Sequence, residues 1–319
     1  MHVLLENLGK LERRLTARVS GQQIELQVRA RLRELGRTVQ IKGFRPGKVP
    51  ANVIEQRFGA QVRGEVIADA ITASWDQAVQ QENLRPALAP SIRVRPLDDG
   101  SEIEFTADFE VLPQLGQLDI EALSLSRFVA SVEEADVDHI LESLEVDESG
   151  VLRVRAEIRA NLERDLAVTV AAITRVGVLE QLVATYSDFD LPKGLVELEI
   201  KARSASSSAD ELSTNTPPAD DPKRLDDAQS RVRAFILLAE VARQNSITPE
   251  QSRINTTLAE IASDYDEPRK VVELYARDSE LMATLRNRVI EEQTIDWLLA
   301  NARVSEHRLS TAEVMQAQP

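Results

Sequence analysis

Hydrophobic and polar residues follow two periods in the first third of the chain. Apolar residues at every second position predict strands, and apolar residues three or four positions apart predict helices. Between 102 and 111, for example, apolar residues alternate strictly with acidic and hydroxyl residues. The predicted elements are strands at 11–19, from Ile92 and at 102–111, helices at 21–38, 51–58 and 60–81, and a hairpin turn at Asp98-Asp99-Gly100. This order predicts an α+β N-terminal domain, an antiparallel sheet with helices, over residues 1–112.

The rest of the chain has mostly helical periods. Residues 113–145 are predicted to be an extended linker followed by a short helix from 132. Residues 151–186 contain no Pro and repeat apolar residues at helical spacing, so they predict one helix of roughly 50 Å. A Ser-, Pro- and Asp-rich stretch at 204–222 predicts a flexible segment. Further helices are predicted from Pro192 and at 224–244, 249–264, 267–277 and 279–303. Residues 146–319 are thus predicted to be an extended all-α C-terminal domain with long helical arms.

Charge is divided unevenly along the chain, whose net charge is −15. Residues 1–64 contain 3 Lys and 10 Arg against 5 Glu, and the remainder contains 25 basic against 48 acidic residues. A basic head on an acidic body suits one anionic contact at the head, because the body is repelled by a polyanion.

Several classes of site are disfavoured by composition. The chain has no Cys, and His2, His139 and His307 lie far apart in sequence, so neither a catalytic residue, a metal site nor a cofactor is expected. The chain has no uninterrupted run of about 18 apolar residues, so no membrane span is predicted. The N-terminus is too short and too acidic for a signal peptide. We therefore expect a cytoplasmic protein without a membrane partner.

The segment from Gly43 to Pro50 has the most distinctive composition. Its two glycines and two prolines predict a rigid loop, on which Phe44, Arg45 and Lys48 present an aromatic ring and two cations. Such a loop can dock on an anionic partner such as ribosomal RNA. A basic turn between two helices explains the same glycines and prolines. A P-loop is excluded, because three residues separate the glycines and Val49 follows the Lys.

Five motifs spread over nearly the whole chain resemble the bacterial trigger factor family. The loop has the family signature Gly-Phe-Arg-x-Gly-Lys-x-Pro, with Pro46 at the variable position, which is often basic in that family. The other four are Leu11-Glu-Arg-Arg-Leu-Thr, Phe105-Thr-Ala-Asp-Phe-Glu-Val, Arg155-Ala-Glu-Ile-Arg-Ala-Asn-Leu-Glu-Arg-Asp-Leu and Asp264-Tyr-Asp-Glu-Pro.

The resemblance implies a ribosome-associated chaperone with three domains. It assigns the ribosome contact to Gly43, Phe44, Arg45, Pro46, Gly47 and Lys48. The partners it implies are protein and RNA of the large ribosomal subunit near the exit tunnel and unfolded or nascent polypeptides, and it leaves open a homodimer off the ribosome. The family also has an FKBP-like prolyl isomerase domain, but here Ser143-Leu144-Glu145 runs directly into Val146, where that domain would be inserted.

Three functions fit parts of this pattern. An ATP-independent holdase, which shields nascent chains in a helical cradle, needs a docking loop, a long reach and dispersed apolar patches. A prolyl isomerase is the alternative by family membership, and the missing domain opposes it. An RNA-binding module is opposed by the acidic body. The candidate substrate-facing residues are Phe235, Ile236, Leu238, Leu274, Tyr275, Met282, Trp297 and Leu298, each of which ordinary helix packing would equally explain.

Overall fold

A computed structural model of the 319-residue chain describes residues 3–42, 44, 48–96, 102–142, 151–210 and 222–316. The strands are β1 (Val3–Asn7), β2 (Glu12–Ser20), β3 (Ser91–Pro96), β4 (Glu102–Glu110), β5 (Ser124–Ala130) and β6 (Arg303–Leu309). The helices are α1 (Gly21–Thr38), α2 (Ala51–Gln81), α3 (Glu134–Glu142), α4 (Val151–Thr185), α5 (Lys193–Asp210), α6 (Pro222–Gln244), α7 (Gln251–Ser263), α8 (Pro268–Arg277), α9 (Ser279–Asn301) and α10 (Thr311–Gln316). They form two compact units, unit 1 (Met1–Gln114 and Asp190–Ala228) and unit 2 (Leu115–Phe189 and Gln229–Pro319).

Unit 1 is built on a four-stranded antiparallel sheet with the strand order β1-β2-β4-β3. Alternate residues of β2 and β4 point to one face, where Leu15, Ala17, Phe105 and Ala107 are fully buried. Helices α1 and α2 cover that face with their apolar residues. The rings of Trp75 and Phe109 pack edge to face, with their centroids 4.7 Å apart. The predicted antiparallel sheet with helices is confirmed, while the turn at 98–100 lies outside the described residues.

Two features of unit 1 differ from the sequence prediction. The predicted helices at 51–58 and 60–81 are one continuous helix, α2, of 31 residues. Gly59 does not interrupt it, because the apolar face continues from Ile54 to Val62 and Val66, and a helical Gly costs only about 1 kcal/mol. Strand β1, which pairs with β2, was missed because five residues are too few for a clear period.

Helix α5 also belongs to unit 1 rather than to the C-terminal region. The Glu110 carboxylate of β4 accepts hydrogen bonds from the backbone N–H groups of Lys193 (3.0 Å) and Gly194 (2.8 Å). Lys193 Nζ is 2.9 Å from Glu12 Oε1. A carboxylate at a helix N-terminus satisfies unpaired donors and complements the helix dipole, which ties α5 to the sheet. The helix extends to Asp210, into the stretch predicted to be flexible from 204, and residues 211–221 lie outside the described part.

Unit 2 is mostly helical, but it is not entirely so. Strands β5 and β6 pair in parallel from Ser124↔Arg303 to Ala130↔Leu309. Residues 113–145 are therefore more than a linker, since β5 and α3 pack within unit 2. The sequence prediction of an all-helical C-terminal half missed β6, because a two-stranded pair needs a partner that lies far away in sequence. The junction at 143–150 lies outside the described residues.

Helix α4 confirms the predicted long helix and passes through Gly177 without interruption. It buries Leu162, Leu166, Val178 and Leu182, and the Thr174 hydroxyl accepts a hydrogen bond from the backbone N–H of Phe128 at 3.2 Å. Ridges of apolar residues on its inner face thus pack against β5.

Among the described residues, one stretch is long and apolar enough to cross a membrane by length and composition alone, Arg153–Thr185 of α4. Only Arg175 and Glu180 are charged between 166 and 183, which is why no uninterrupted apolar run was found in the sequence. Arg175 pairs with Glu291 of α9 at 2.6 Å. Core helices of folded domains can be equally long and apolar, so this helix by itself does not indicate a membrane span.

Acidic residues of α3 connect three helices of unit 2. Glu134 pairs with Arg155 (2.7 Å) and Arg159 of α4. Asp136 Oδ2 accepts hydrogen bonds from the Thr311 hydroxyl of α10 (2.6 Å) and the backbone N–H of Glu133 (2.9 Å). The Thr311 hydrogen bond and then the backbone hydrogen bond lower the pKa of Asp136 below its ordinary 3.8.

The lowered pKa of Asp136 predicts a pH-dependent contribution to stability. A carboxylate with a folded-state pKa below its unfolded value stabilises the fold above pH 3.8, and that contribution is lost as pH falls through the folded-state pKa. We expect Asp136→Asn to lower the urea midpoint at neutral pH, by an amount that shrinks below pH 3.8. Asp165→Asn, on an exposed position of α4, is the matched control and should change the midpoint little. A constant difference for Asp136→Asn at all pH values would contradict the assignment.

Candidate functional site

The candidate site is the loop 41–50, which joins α1 to α2. Its described residues include Ile41, which is 7% exposed, and Phe44, which is 41% exposed. The Phe44 backbone N–H donates to the Ile41 carbonyl at 3.0 Å, which closes a tight turn. Ile41 therefore anchors the loop in unit 1, while the Phe44 ring reaches the surface. The predicted contact residues Gly43, Arg45, Pro46 and Gly47 lie outside the described residues.

The ends of the loop are held by close contact between α1 and α2. A Cβ added to Gly36 in the last turns of α1 would lie 2.6 Å from Ile54 Cδ1 of α2, and Ile54 is 3% exposed. The Val39 N–H donates to the Leu35 carbonyl at 2.9 Å at the end of α1. The Pro50 carbonyl accepts from Ile54 N–H at 3.3 Å at the start of α2. The two helices thus position the loop from both sides.

Basic residues flank this loop along the sequence. Between residues 29 and 57 the sequence has eight basic residues and only Glu34 and Glu55 as acidic ones. Arg31 is paired with Asp69 at 2.6 Å, and this hydrogen bond raises the pKa of Arg31. We call the following residues the basic patch, since each is exposed and makes no ion pair with any residue that the structure describes: Arg29, Arg33, Arg37, Lys42, Lys48 and Arg57.

The basic patch combines residues from both helices and the loop. Sequence periodicity identified the arginines of α1 as one face, but it did not connect them with Lys42 or Arg57. Arg37 lies in the last turn of α1, where a cation also complements the helix dipole. Uncompensated cations around an exposed aromatic ring can bind phosphates and stack on a base. Within the described ranges, no group of His, Cys, Asp and Glu could hold a metal ion.

The candidate substrate-facing residues of unit 2 fall into three groups. Phe235 and Leu274 are exposed, at 52% and 54%. Tyr275, Met282 and Trp297 are half-buried against apolar cores. Ile236, Leu238 and Leu298 are buried in the core of unit 2 and are not accessible to a client in this structure. Helical periodicity identified apolar positions, but it could not tell which of two apolar faces meets the core.

The structure adds exposed apolar residues that the sequence did not single out. Val168 and Val176 lie on α4, two helical turns apart, with exposed fractions of 67% and 51%. Both lie in the most apolar part of the chain, and this composition could have identified them from the sequence. We define the exposed apolar set of unit 2 as Val168, Val176, Phe235, Tyr265, Val272 and Leu274. Unit 2 also has a groove of about 410 Å³ between α4 and the end of β5, lined by Phe128, Ala130, Leu166 and Val170 among others.

Two family models match this chain almost end to end. The model described as "Bacterial trigger factor protein (TF)" matches residues 1–144, and the one described as "Bacterial trigger factor protein (TF) C-terminus" matches residues 151–300. The two matches are therefore separated by only six residues, 145–150.

Curated relatives agree with the family models. The trigger factor of Xanthomonas campestris pv. campestris (strain B100) is 31% identical over 434 residues, covering 99% of this chain and 100% of the relative. The trigger factor of Stenotrophomonas maltophilia (strain K279a) has the same identity and coverage. Since this chain has 319 residues, at least 115 aligned positions have no counterpart in it.

A solved structure from work on "Promiscuous Substrate Recognition in Folding and Assembly Activities of the Trigger Factor Chaperone" superposes on 94% of this chain and 99% of its own. The TM-score is 0.49 and the identity 12%. A likeness at this level carries no argument about function.

Proposed function

This chain belongs to the bacterial trigger factor family and is a ribosome-associated chaperone, and we propose that it docks through the loop 41–50. The observation that carries this proposal is the exposed basic patch, which makes no ion pair with any described residue and whose residues flank the exposed Phe44 along the sequence. Phosphates of ribosomal RNA bind to uncompensated Lys and Arg side chains with release of counterions, so the contact should weaken steeply with salt. The proposed partner is the large ribosomal subunit near the exit of the polypeptide tunnel.

Pro46 gives this loop less charge than its relatives commonly have at that position. The proposal therefore assigns more of the electrostatic contact to the flanking helices, where Arg33, Arg37 and Arg57 lie exposed beside the loop. The acidic remainder of the chain opposes a plain RNA-binding function, because it would be repelled by the same phosphates.

The docking proposal predicts that the loop is essential for ribosome binding. We expect the combined change Phe44→Ala, Arg45→Ala and Lys48→Ala to abolish cosedimentation with ribosomes at physiological salt without unfolding the protein. Phe44 and Lys48 are exposed, so their loss removes no core contact. The matched control is Lys201→Ala with Arg286→Ala, which removes two exposed cations elsewhere and should still cosediment. Full cosedimentation of the triple variant would show that the loop is not the contact.

We further propose that clients bind to the exposed apolar set of unit 2. Nascent chains expose many different apolar segments, so a general holdase needs several adaptable contacts rather than one shaped pocket. Each buried apolar side chain contributes at most roughly 1.5–3 kcal/mol, so useful affinity requires several contacts at once. Val168 and Val176 on α4, together with Phe235 on α6, supply such contacts without any nucleotide.

This client-binding proposal predicts weak single effects and a strong combined one. We expect Val168→Ser, Val176→Ser and Phe235→Ser each to reduce aggregation suppression slightly, and the triple variant to lose most of it, without ATP. The full chain should be used, because a fragment starting at 146 would lack β5, which pairs with β6. Leu198→Ser with Leu225→Ser, exposed apolar residues of unit 1, is the control. One substitution that abolishes activity in a folded protein would instead indicate a single specific pocket.

We propose that the chain has no prolyl isomerase activity. The two family models meet within six residues, and the alignment with a curated trigger factor contains at least 115 positions that have no counterpart in this chain.

Absence of isomerase activity can be measured directly. We expect no acceleration of cis–trans exchange of a prolyl tetrapeptide, even at enzyme concentrations that suppress aggregation. A trigger factor that contains its middle domain is the positive control. A saturable, concentration-dependent acceleration by this chain would refute the proposal.

The proposed location is the cytoplasm, where ribosomes and nascent chains are found. Association into a homodimer off the ribosome stays a hypothesis for sedimentation measurements.

A further inference from the structure

Strand β3 is an open edge of the sheet in unit 1. It pairs with β4 on one side, and no strand of the described residues lies on its other side. All side chains from Ser91 to Arg95 are exposed. Alternate residues of any edge strand direct unpaired backbone N–H and C=O groups outward, which makes the edge a template for another strand.

Where β3 pairs with the sheet, charges on the outer face alternate in sign from strand to strand; the alternation breaks farther along, where Glu12 of β2 lies opposite Glu110 of β4. The charged columns are Glu6 on β1, Arg14 and Arg18 on β2, Glu104 and Asp108 on β4, and Arg93 and Arg95 on β3. Arg14 Nε lies 2.6 Å from Asp108 Oδ1, and Arg18 Nε lies 3.1 Å from Glu104 Oε2. Arg93 also binds Asp108. The series thus ends on a positive column at the open edge, and Arg95 makes no ion pair with any described residue.

The core-facing side of β3 is apolar and only partly covered. Ile92 lies opposite Ala107, and Val94 opposite Phe105. Ala107 and Phe105 are fully buried, whereas Ile92 and Val94 are 41% and 48% exposed. Edge arginines and a Pro at the strand end are ordinary protection against aggregation. Protection alone does not account for an apolar row left open beside the charges.

We propose that β3 binds an extended polypeptide segment as an added strand, and that this segment carries carboxylates at alternate positions with apolar residues between them. The backbone of the segment would pair with the open edge. Its carboxylates would face Arg93 and Arg95 and continue the alternation of charge, while its apolar residues would cover Ile92 and Val94. None of its residues belongs to the loop 41–50 or to the exposed apolar set, so the inference does not rest on either proposal above.

A second copy of β3 fits this edge poorly. Pairing two β3 strands would place arginine columns next to each other, and like charges on neighbouring strands are destabilising. The charge of the edge therefore favours an acidic segment over self-association.

The first experiment measures binding of a fluorescent peptide to the full chain by anisotropy. The probe alternates Val and Glu over about eight residues, a typical strand length. Three control peptides isolate the mode of binding: one with the same residues in two blocks, one with Lys in place of Glu, and one N-methylated at alternate residues on one edge. The block peptide loses the alternation of side chains, the Lys peptide loses the negative charge, and the N-methylated peptide loses backbone pairing. We therefore expect each control to bind more weakly, by on the order of tenfold or more.

The second experiment places the peptide on β3. We expect Arg95→Gln to weaken binding several-fold and to lessen its salt dependence, and we expect bound peptide to slow hydrogen exchange of β3 amides. Arg286→Gln, an exposed cation of unit 2, is the matched control and should bind the probe like the parent.

Three results would overturn the proposal. Equal binding of the block or N-methylated peptide would exclude strand addition. Unchanged binding by folded Arg95→Gln, with no protection of β3 amides, would place the peptide elsewhere. A dimer of the full chain that Arg95→Gln dissociates, seen by sedimentation, would assign the edge to a second copy.

Discussion

The pairing of β2 with β4 is the constraint on which unit 1 depends. Its register sends Leu15, Ala17, Phe105 and Ala107 to one face, so α1 and α2 must pack there. The same register sends the ion pairs Arg14–Asp108 and Arg18–Glu104 to the other face. The sheet and the approach of Gly36 to Ile54 hold α1 and α2 in contact, which fixes the two ends of the loop between them. The placement of the proposed docking loop and the position of the open edge thus both depend on this one pairing.

Unit 2 combines a stable core with several exposed apolar residues. The parallel pair β5–β6, the apolar face of α4 and the ion pairs of Glu134 give it a core that does not need every apolar residue. Residues such as Val168 and Phe235 can then remain exposed. Singly exposed apolar residues are common on folded domains, so the client role of this set depends on the proposed aggregation assay.

Long, strongly periodic elements were predictable from local sequence. The strand at 102–111, α1 and the long helix α4 agree with prediction, because each has enough residues to reveal a period of two or of 3.6. The errors have one common cause. β1 and β6 are short, and their existence depends on partners elsewhere in the chain. The split predicted near Gly59 failed because burial of Ile54 and Val62 on one continuous face outweighs the local cost of Gly.

The sequence alone determined the family, the separation of charge, and the composition of a cationic loop with Phe44 at its centre. These follow from residue identity and spacing, which need no partner. Tertiary structure decided which apolar residues are accessible to a client. Phe235 is exposed, whereas the adjacent Ile236, and Leu298 of α9, are buried. It also decided that Lys42, Arg57 and three arginines of α1 are exposed without an ion pair to any described residue, and that β3 is an open edge of the described sheet. These properties depend on which chain segments meet, and burial and edge position exist only once those segments have packed.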